Sequence, residues 1–256
     1  CTPQSDKDNH GAAKEEAAQN PVAGEWVRKT PRETIRLHFF PEGKVEGDFG
    51  NDGTVEIRSE YHLKGDTVFF QDKTGQTCPN MGIYTLHQGK HHIAFDLVTD
   101  TCPGRVRSIM GFWVHAGYDK DLEEIGRQIG DKPSPALHLE RGRMHLALGN
   151  PQQARTDLNK YLQTDTTNAR VYINRAATFF PKQMEEAIAD CNQAITLDPE
   201  AKNAYFLRGI ARYSLGRKEQ ACKDFYEAIT LGFAVLKEAE MQKCAEYWEE
   251  MGAGFM

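Results

Sequence analysis

Three of the nine histidines, His87, His91 and His92, are close together in the sequence, and a metal site is the first chemistry they suggest. Adjacent side chains of a strand point to opposite faces, so at most one of His91 and His92 can join His87 across a hairpin turn. Two imidazoles do not complete a zinc site, which takes four ligands. The sequence therefore predicts no metal site, and these histidines are interpreted as exposed polar residues of a hairpin.

The sequence also lacks the patterns of nucleophilic and phosphate-binding sites. It contains no Gly-x-Ser-x-Gly elbow, no His-Glu-x-x-His motif and no glycine-rich phosphate loop. Adjacent carboxylates, such as Glu185 with Glu186 and Glu249 with Glu250, fall on segments with helical periodicity, where they are typical of a solvated face. We therefore expect no enzymatic activity, no catalytic residue and no cofactor.

Charge and hydropathy exclude two further classes of protein. The 31 Lys and Arg residues against 37 Asp and Glu residues give a net charge of -6, which supplies no cationic field for a nucleic-acid backbone. The mean hydropathy is -0.62, and no apolar run approaches the ~20 residues of a membrane-spanning helix. The polypeptide itself is thus expected to bind no nucleic acid and to cross no bilayer.

The N-terminal segment, residues 1–23, is polar and alanine-rich, has no aromatic residue and begins with Cys1. Such a composition cannot offset the entropy lost on ordering, which predicts a disordered tether. A leading cysteine before a polar tail resembles a mature bacterial lipoprotein, whose first cysteine carries the lipid. The resemblance implies anchoring through Cys1 at the cell envelope, at the periplasmic or surface face of the outer membrane. The alternative is an arbitrary start of the sequence.

Four other cysteines form two candidate disulfides. Cys78 and Cys102 each precede a proline near the ends of strands expected to be neighbours, and an oxidising compartment would favour a bond between them. Cys222 and Cys244 are a second candidate pair that would hold a C-terminal helix against the rest of the chain. Cys191 falls at a core position of a helix, which is typical of a small buried side chain.

The second half of the chain repeats with a period close to 34 residues. Small residues recur at two positions of the period, Gly142, Ala176 and Gly209 at one and Ala154, Ala187 and Ala221 at the other. Small side chains let the two helices of a unit approach closely. The pattern resembles the tetratricopeptide repeat, and the resemblance implies a helical domain over 134–256. It comprises units at 135–168, 169–201 and 202–235 and a C-terminal cap helix.

Each unit also carries one arginine and one aspartate at matching positions. The arginines are Arg141, Arg175 and Arg208, and the aspartates are Asp157, Asp190 and Asp224. Recurrence in every unit favours a structural role over a grip on an acidic ligand, because a ligand site normally interrupts a repeat. We expect a ladder of bidentate ion pairs, with little stability lost when one exposed pair is removed.

The first helices of the units are expected to line the concave face of the array with mainly apolar side chains. The predicted partner-binding residues are Leu139, Arg143, Leu146, Ile173, Asn174, Phe180, Phe206, Ile210 and Tyr213. Related modules that hold a peptide carboxylate use a Lys, Asn and Arg clamp, of which only Asn174 and Arg143 remain here. The resemblance implies docking of a protein or peptide in an apolar groove, unless the protein's own residues fill it.

The first half of the chain has a different pattern. Short runs in which apolar and polar residues alternate are separated by turn sequences such as Pro41 to Gly43 and Asn51 to Gly53. Eight strands without an intervening helix, the last at 105–115, predict an antiparallel up-and-down barrel over 24–115. A linker at 116–133 with a short amphipathic helix follows. The expected fold is α+β, with a barrel domain and a helical repeat domain.

Gly24 and Trp26 at the start of the first strand resemble the Gly-x-Trp signature of lipocalins. The resemblance implies that an arginine of the last strand, Arg105 or Arg107, packs over the indole. Strands this short enclose a space that side chains alone can fill, so a packed interior and a cup for a small apolar ligand are both open.

These observations support two functional hypotheses. The first is an envelope protein, attached to the membrane only by its lipid, that acts as a scaffold for a protein or peptide partner. The alternative is a carrier that holds a small apolar ligand in its barrel.

Overall fold

The computed structural model describes residues 20–74, 78, 80–233 and 244–248. Cys1 and most of the expected tether lie outside these residues. The last residues of that tether, however, pack on the barrel, because Val22 is fully buried and the Asn20 side-chain amide donates to the Tyr61 hydroxyl at 2.7 Å. Among the described helices, none combines the length and the apolar character that crossing a bilayer takes.

The first domain is a closed antiparallel barrel in which each strand pairs with its neighbours in the sequence. The strands are β1 (Gly24–Lys29), β2 (Thr34–Phe39), β3 (Lys44–Asp48), β4 (Ile57–Lys64), β5 (Thr67–Thr74), β6 (Gly82–Gln88), β7 (His92–Thr99) and β8 (Gly111–His115). Closure comes from pairing of β1 with β8, where Trp26 lies opposite His115 and Val27 opposite Val114. The predicted fold class, an antiparallel barrel followed by a helical repeat domain, is confirmed.

Side chains fill the interior of this barrel. Alternating residues of β2 point inward, and its last residue, Phe39, contacts the rings of Tyr61, Phe70 and Phe95. Phe39, Phe70, Tyr84, Phe95 and Trp113 are each at most 1 % exposed. The described part of the interior therefore favours a barrel filled by its own side chains over a cup that holds a small apolar ligand.

A short helix, α1 (Pro103–Ile109), replaces the first part of the expected last strand. Proline is favoured in the first turn of a helix, and Val106 and Ile109, three residues apart, bury one helical face against the barrel core. The strand then begins at Gly111, whose φ of +111° favours glycine. The expectation of a strand over 105–115 is thus wrong before Gly111.

In the described range 111–233, the remaining helices are a junction helix and three helix pairs, one in each repeat unit. They are α2 (Tyr118–Asp131), α3 (Pro135–Ala147), α4 (Pro151–Leu162), α5 (Ala169–Ala177), α6 (Met184–Leu197), α7 (Lys202–Ser214) and α8 (Lys218–Thr230). Helix α2 packs Ile125 into a shared cluster with Val27 and Val114 of the barrel and Met144 of α3. The predicted linker helix therefore joins the two domains through an apolar contact.

Close helix crossings explain the small residues of the repeat. A Cβ on Gly209 would lie 2.5 Å from the buried ring of Phe225, so α7 and α8 cross where only glycine fits. Of the expected cap helix, the structure describes residues 244–248, and these are helical. The indole N–H of Trp248 donates to the Cys222 carbonyl at 3.0 Å.

The repeated arginine and aspartate form one ion pair inside each unit, at 2.7, 2.6 and 2.7 Å in chain order. The aspartates are only 2–8 % exposed as side chains, so these are not the exposed pairs that the sequence analysis assumed. Arg175 also donates to Asn159 of the preceding unit at 2.8 Å, and Arg208 to Asn192 at 2.7 Å. The ladder therefore connects neighbouring units through an asparagine that lies two residues after the aspartate. The sequence analysis missed this asparagine.

Both candidate cysteine pairs are bonded in the structure, Cys78 to Cys102 and Cys222 to Cys244. The first bond fixes the residue that caps the N-terminus of α1, and the second attaches the helical residues 244–248 to α8. Cys191 is free and buried, and burial raises the pKa of its thiol to about 12. Cys191 lies in a hydrophobic cluster of the repeats, as the sequence analysis expected of a small buried side chain.

Candidate functional site

The Gly-x-Trp residues lie at the barrel end where β1 starts and β8 finishes. Gly24 has a φ of +126°, and the Trp26 indole donates to the Val22 carbonyl at 2.8 Å and meets the edge of His115. Arg105 is on α1, at the opposite barrel end, where it binds Asp72 and Asp100. The expected packing of Arg105 over Trp26 is therefore wrong, because the chain forms α1 before β8 begins.

Another arginine and tryptophan make the expected kind of contact. The guanidinium of Arg28 lies 4.9 Å from the ring centre of Trp113 and donates to the carbonyls of Arg107 and Met110 at the end of α1. The Arg107 side chain itself is exposed. Arg28 therefore attaches α1 to the barrel through carbonyls that a helix end leaves unpaired.

His91 and His92 of the histidine hairpin contact the helices, contrary to the exposed positions expected from the sequence, whereas the His87 side chain is 38 % exposed. The His92 side chain is 2 % exposed and its Nδ1 lies 2.9 Å from Glu140 of α3, which also accepts from the His91 backbone N–H at 2.7 Å. His91 Nδ1 lies 3.2 Å from Asp121 of α2. Carboxylates from the helical domain thus engage ring nitrogens that a metal would need.

This contact predicts a pH-dependent stability. Burial opposes ionisation of Glu140, but the hydrogen bonds and charges of His92 and His91 outweigh it and lower the pKa of Glu140 below its ordinary value of 4.5. A carboxyl with a depressed folded pKa stabilises the fold above its unfolded pKa, and the contribution is lost as pH falls through the folded pKa. In urea unfolding, the parent protein should be more stable than Glu140→Gln at about pH 5.5, and this difference should shrink below about pH 4.5. An advantage independent of pH would contradict this assignment.

The protein's own residues cover much of the predicted groove near the last unit. Phe206 stacks on Phe233 at 4.4 Å between ring centres, and Ile210 and Tyr213 pack against the cluster that includes Trp248. Phe180 packs beside Met184 at the start of α6. All four predicted groove residues are partly buried, which favours the self-filling alternative for this part of the concave face.

The barrel and the neighbouring helices cover the groove near the first unit. Leu139, Leu146 and Ile173 pack against the core shared by α4, α5 and α6. The Arg143 guanidinium lies 6.0 Å from the ring centre of Phe112 on β8, and burial lowers the pKa of Arg143. These four predicted residues therefore contribute to packing within and between the domains.

An opening remains between the barrel and the second and third units, and we call it the interdomain cleft. Its volume is about 210 Å³. Ala94, Asp96, Gly111 and Phe112 line it from the barrel, and Arg170, Ile173, Asn174, Lys202 and Asn203 line it from α5 and α7. Ile173 and Asn174 are thus the predicted groove residues that this opening reaches.

Among the described residues, some polar groups of the interdomain cleft have hydrogen-bond or ion-pair partners and others have none. Arg170 and His87 both bind Asp96, at 2.5 and 3.1 Å, and although burial opposes it these contacts lower the pKa of Asp96. Asn174 is 7 % exposed, and its amide nitrogen has no hydrogen-bond partner among the described residues. Burial lowers the pKa of Lys202, against the opposing charge of Asp96.

Asn174 and Lys202 place hydrogen-bond donors in the wall of the interdomain cleft. A buried amide without a partner costs free energy, which an incoming carbonyl or carboxylate oxygen would recover. The Phe112 ring and Ile173 offer apolar contact beside these donors. This combination suits a short extended segment of polypeptide.

Comparison with known proteins finds a family match in the helical half of the chain and relatives that share part of its length. A family model for the tetratricopeptide repeat matches residues 183–232. The chain is 28 % identical over 145 residues to the human mitochondrial import receptor subunit TOM70, covering 54 % of this chain and 24 % of that protein. It is 30 % identical over 114 residues to human RNA polymerase II-associated protein 3, covering 44 % of this chain and 17 % of that protein.

Among solved structures, MamA is 22 % identical with a TM-score of 0.47, over 53 % of this chain and 80 % of that one. The second repeat domain of Spaghetti (RPAP3), bound to an HSP90 peptide, is 30 % identical with a TM-score of 0.37, over 41 % of this chain and 98 % of that one. The chain spans about a quarter or less of the curated relatives named above. The family model thus finds tetratricopeptide-repeat sequence in the helical half of the chain, at residues 183–232.

Proposed function

We propose that the protein is a lipid-anchored envelope scaffold whose tetratricopeptide repeats dock a protein partner through an extended peptide segment. The observation that carries the proposal is the buried Asn174 side chain at the interdomain cleft, whose amide nitrogen has no hydrogen-bond partner among the described residues. Native proteins rarely leave such a group without a partner, and its position beside Lys202 and an apolar wall suits a peptide backbone. The docking site is thus narrower and more polar than the apolar groove expected from the sequence.

The barrel has a supporting role in this proposal. Strands β7 and β8 supply one wall of the interdomain cleft, and the contacts of His91 and His92 with α2 and α3 hold that wall in place. Rigid walls lower the entropy lost on binding a flexible peptide. The carrier alternative has less support, because buried aromatic side chains fill the described barrel interior.

Binding is tested by selecting 12-residue peptides from a random library on the intact chain and measuring Kd by fluorescence polarisation. We expect the selected peptides to bind Asn174→Leu and Lys202→Glu at least about tenfold more weakly than the parent. Lys218→Glu, at the start of α8 outside the cleft, is the matched charge control and should retain the parent affinity. Equal affinity for all variants, or no selected peptide, would overturn the docking site.

Lipid anchoring has a separate test. The two disulfides suit an oxidising compartment such as the envelope. Mass spectrometry of the N-terminal peptide from the native protein should find acyl chains on Cys1, and the protein should fractionate with membranes. An unmodified Cys1 in a soluble fraction would remove the anchor from the proposal and leave the peptide-docking part standing.

A further inference from the structure

A second opening lies on the barrel, at the end opposite the Gly-x-Trp residues. It is bordered by the β1–β2 turn, the β3–β4 loop and α1, and we call it the arginine basin. Its volume is about 510 Å³, within the range of about 300–1,000 Å³ that small-molecule sites occupy. It is separate from the interdomain cleft, with which it shares no lining residue.

The arginine basin carries more positive than negative charge. Arg28, Arg32 and Arg107 line it with one carboxylate, Glu33, and the fourth guanidinium, Arg105, is paired with two carboxylates, Asp72 and Asp100, so one positive charge remains in excess among these seven groups. The chain as a whole has a net charge of -6, so this local excess runs against its overall composition. The basin therefore suits an anion.

Arg28 is half-buried and forms no salt bridge with a carboxylate of the described residues. Burial lowers the pKa of Arg28 to about 10, against the opposing charge of Glu33. Its terminal nitrogens reach the carbonyls of Arg107 and Met110, whereas its Nε is buried without a hydrogen-bond partner among the described residues. A desolvated cation of this kind is stabilised by a nearby negative charge.

Apolar side chains form another part of the arginine basin. Ile35 is 3 % exposed, and Phe49 and Ile57 are half-buried beside it. A simple inorganic anion would leave this surface unused, whereas a hydrocarbon segment would cover it. The basin thus combines cations with an apolar surface outside the filled interior of the barrel.

We propose that the arginine basin binds an anionic amphiphile. Its carboxylate or phosphate group lies between Arg32 and Arg107, near Arg28, and its hydrocarbon segment lies on Phe49 and Ile57. Arg32 and Arg107 are exposed and form no salt bridge with the described residues, so their guanidinium groups are available for bidentate contacts. The source of the amphiphile is either a free monomer or a membrane lipid, which present the same chemistry.

The test uses dodecanoate below its aggregation concentration, titrated calorimetrically into the intact chain. We expect saturable binding that weakens at least about tenfold in the double variant Arg32→Glu with Arg107→Glu. The matched control, Lys64→Glu with Lys90→Glu, makes the same change in net charge with exposed residues at the other barrel end and should bind like the parent. Octanoate should bind more weakly than dodecanoate, by more than about tenfold, because four methylenes fewer are buried.

Two results would overturn the proposal. One is measurable dodecanoate binding that is equally tight in the arginine variant and the parent, and the other is equally tight binding of an uncharged dodecyl glycoside. Vesicles containing phosphatidylglycerol distinguish the sources. Arginine-dependent vesicle binding without dodecanoate binding would assign a membrane lipid, whereas arginine-dependent dodecanoate binding without vesicle binding would assign a free monomer. If the chain bound neither dodecanoate nor vesicles, the arginine basin would be rejected as a binding site.

Discussion

Replacement of Arg105 by methionine is expected to destabilise the barrel by about 3–5 kcal/mol. The side chains of Arg105, Asp72 and Asp100 are only 3, 1 and 0 % exposed. Arg105 Nε lies 2.6 Å from Asp100 and Nη1 lies 3.1 Å from Asp72, so methionine would leave two buried carboxylates without their cation. Urea unfolding followed by the fluorescence of the barrel tryptophans measures the change.

The surrounding hydrogen bonds make this network sensitive to substitution. The Tyr84 hydroxyl donates to Asp100 at 2.6 Å, and burial together with this carboxylate raises the pKa of Tyr84. The matched control is Arg107→Met, two residues away on α1, whose side chain is exposed. It should change stability by no more than about 0.5 kcal/mol. Similar losses in both variants would show that the buried charge is not the cause.

Replacement of Asp224 by asparagine is expected to destabilise the last repeat by about 2–4 kcal/mol. Asp224 is 3 % exposed as a side chain and binds Arg208 at 2.7 Å and Arg212 at 2.8 Å. Asparagine keeps the size but removes the charge, which leaves two arginines 14 and 20 % exposed without a counter-ion. The partial exposure of the arginines places the loss below that of a fully buried pair. Thermal unfolding followed by helical circular dichroism measures it.

The control for this variant is an ion pair of the repeats that faces solvent. Glu185 and Arg217 are 59 and 42 % exposed as side chains. Glu185→Gln should therefore change stability by no more than about 0.5 kcal/mol. If Asp224→Asn were equally mild, the low cost that the sequence analysis assigned to the ladder would stand after all.

The sequence predicted the two-domain fold well because both domains rest on local patterns. The spacing of Gly142, Ala176 and Gly209 reflects helix crossings that recur in every unit, and turn residues between alternating runs mark the strands. Helix α1 was missed because the residues around Val106 can form a strand as well as a helix. Whether this segment forms a helix or a strand depends on its packing against the barrel end that it closes.

The candidate sites were less predictable, because they depend on residues distant in the chain. Nothing adjacent to His92 in sequence indicates that Glu140 will lie 2.9 Å away. That the amide nitrogen of Asn174 has no partner among the described residues becomes visible only when the barrel wall is placed beside α5. One local signal was available and unused, the asparagines two residues after Asp157 and Asp190 that join successive units.

Periodicity and turn chemistry thus determined the kinds of element, their order and the residues of the ion-pair ladder. Both act over distances of a few residues or recur at fixed intervals, so they can be recognised in the sequence itself. Only the tertiary structure decided which part of the concave face stays open and where unpaired polar groups gather. Those outcomes follow from how the barrel docks on the helices, and that docking sums many weak contacts between segments far apart in the chain.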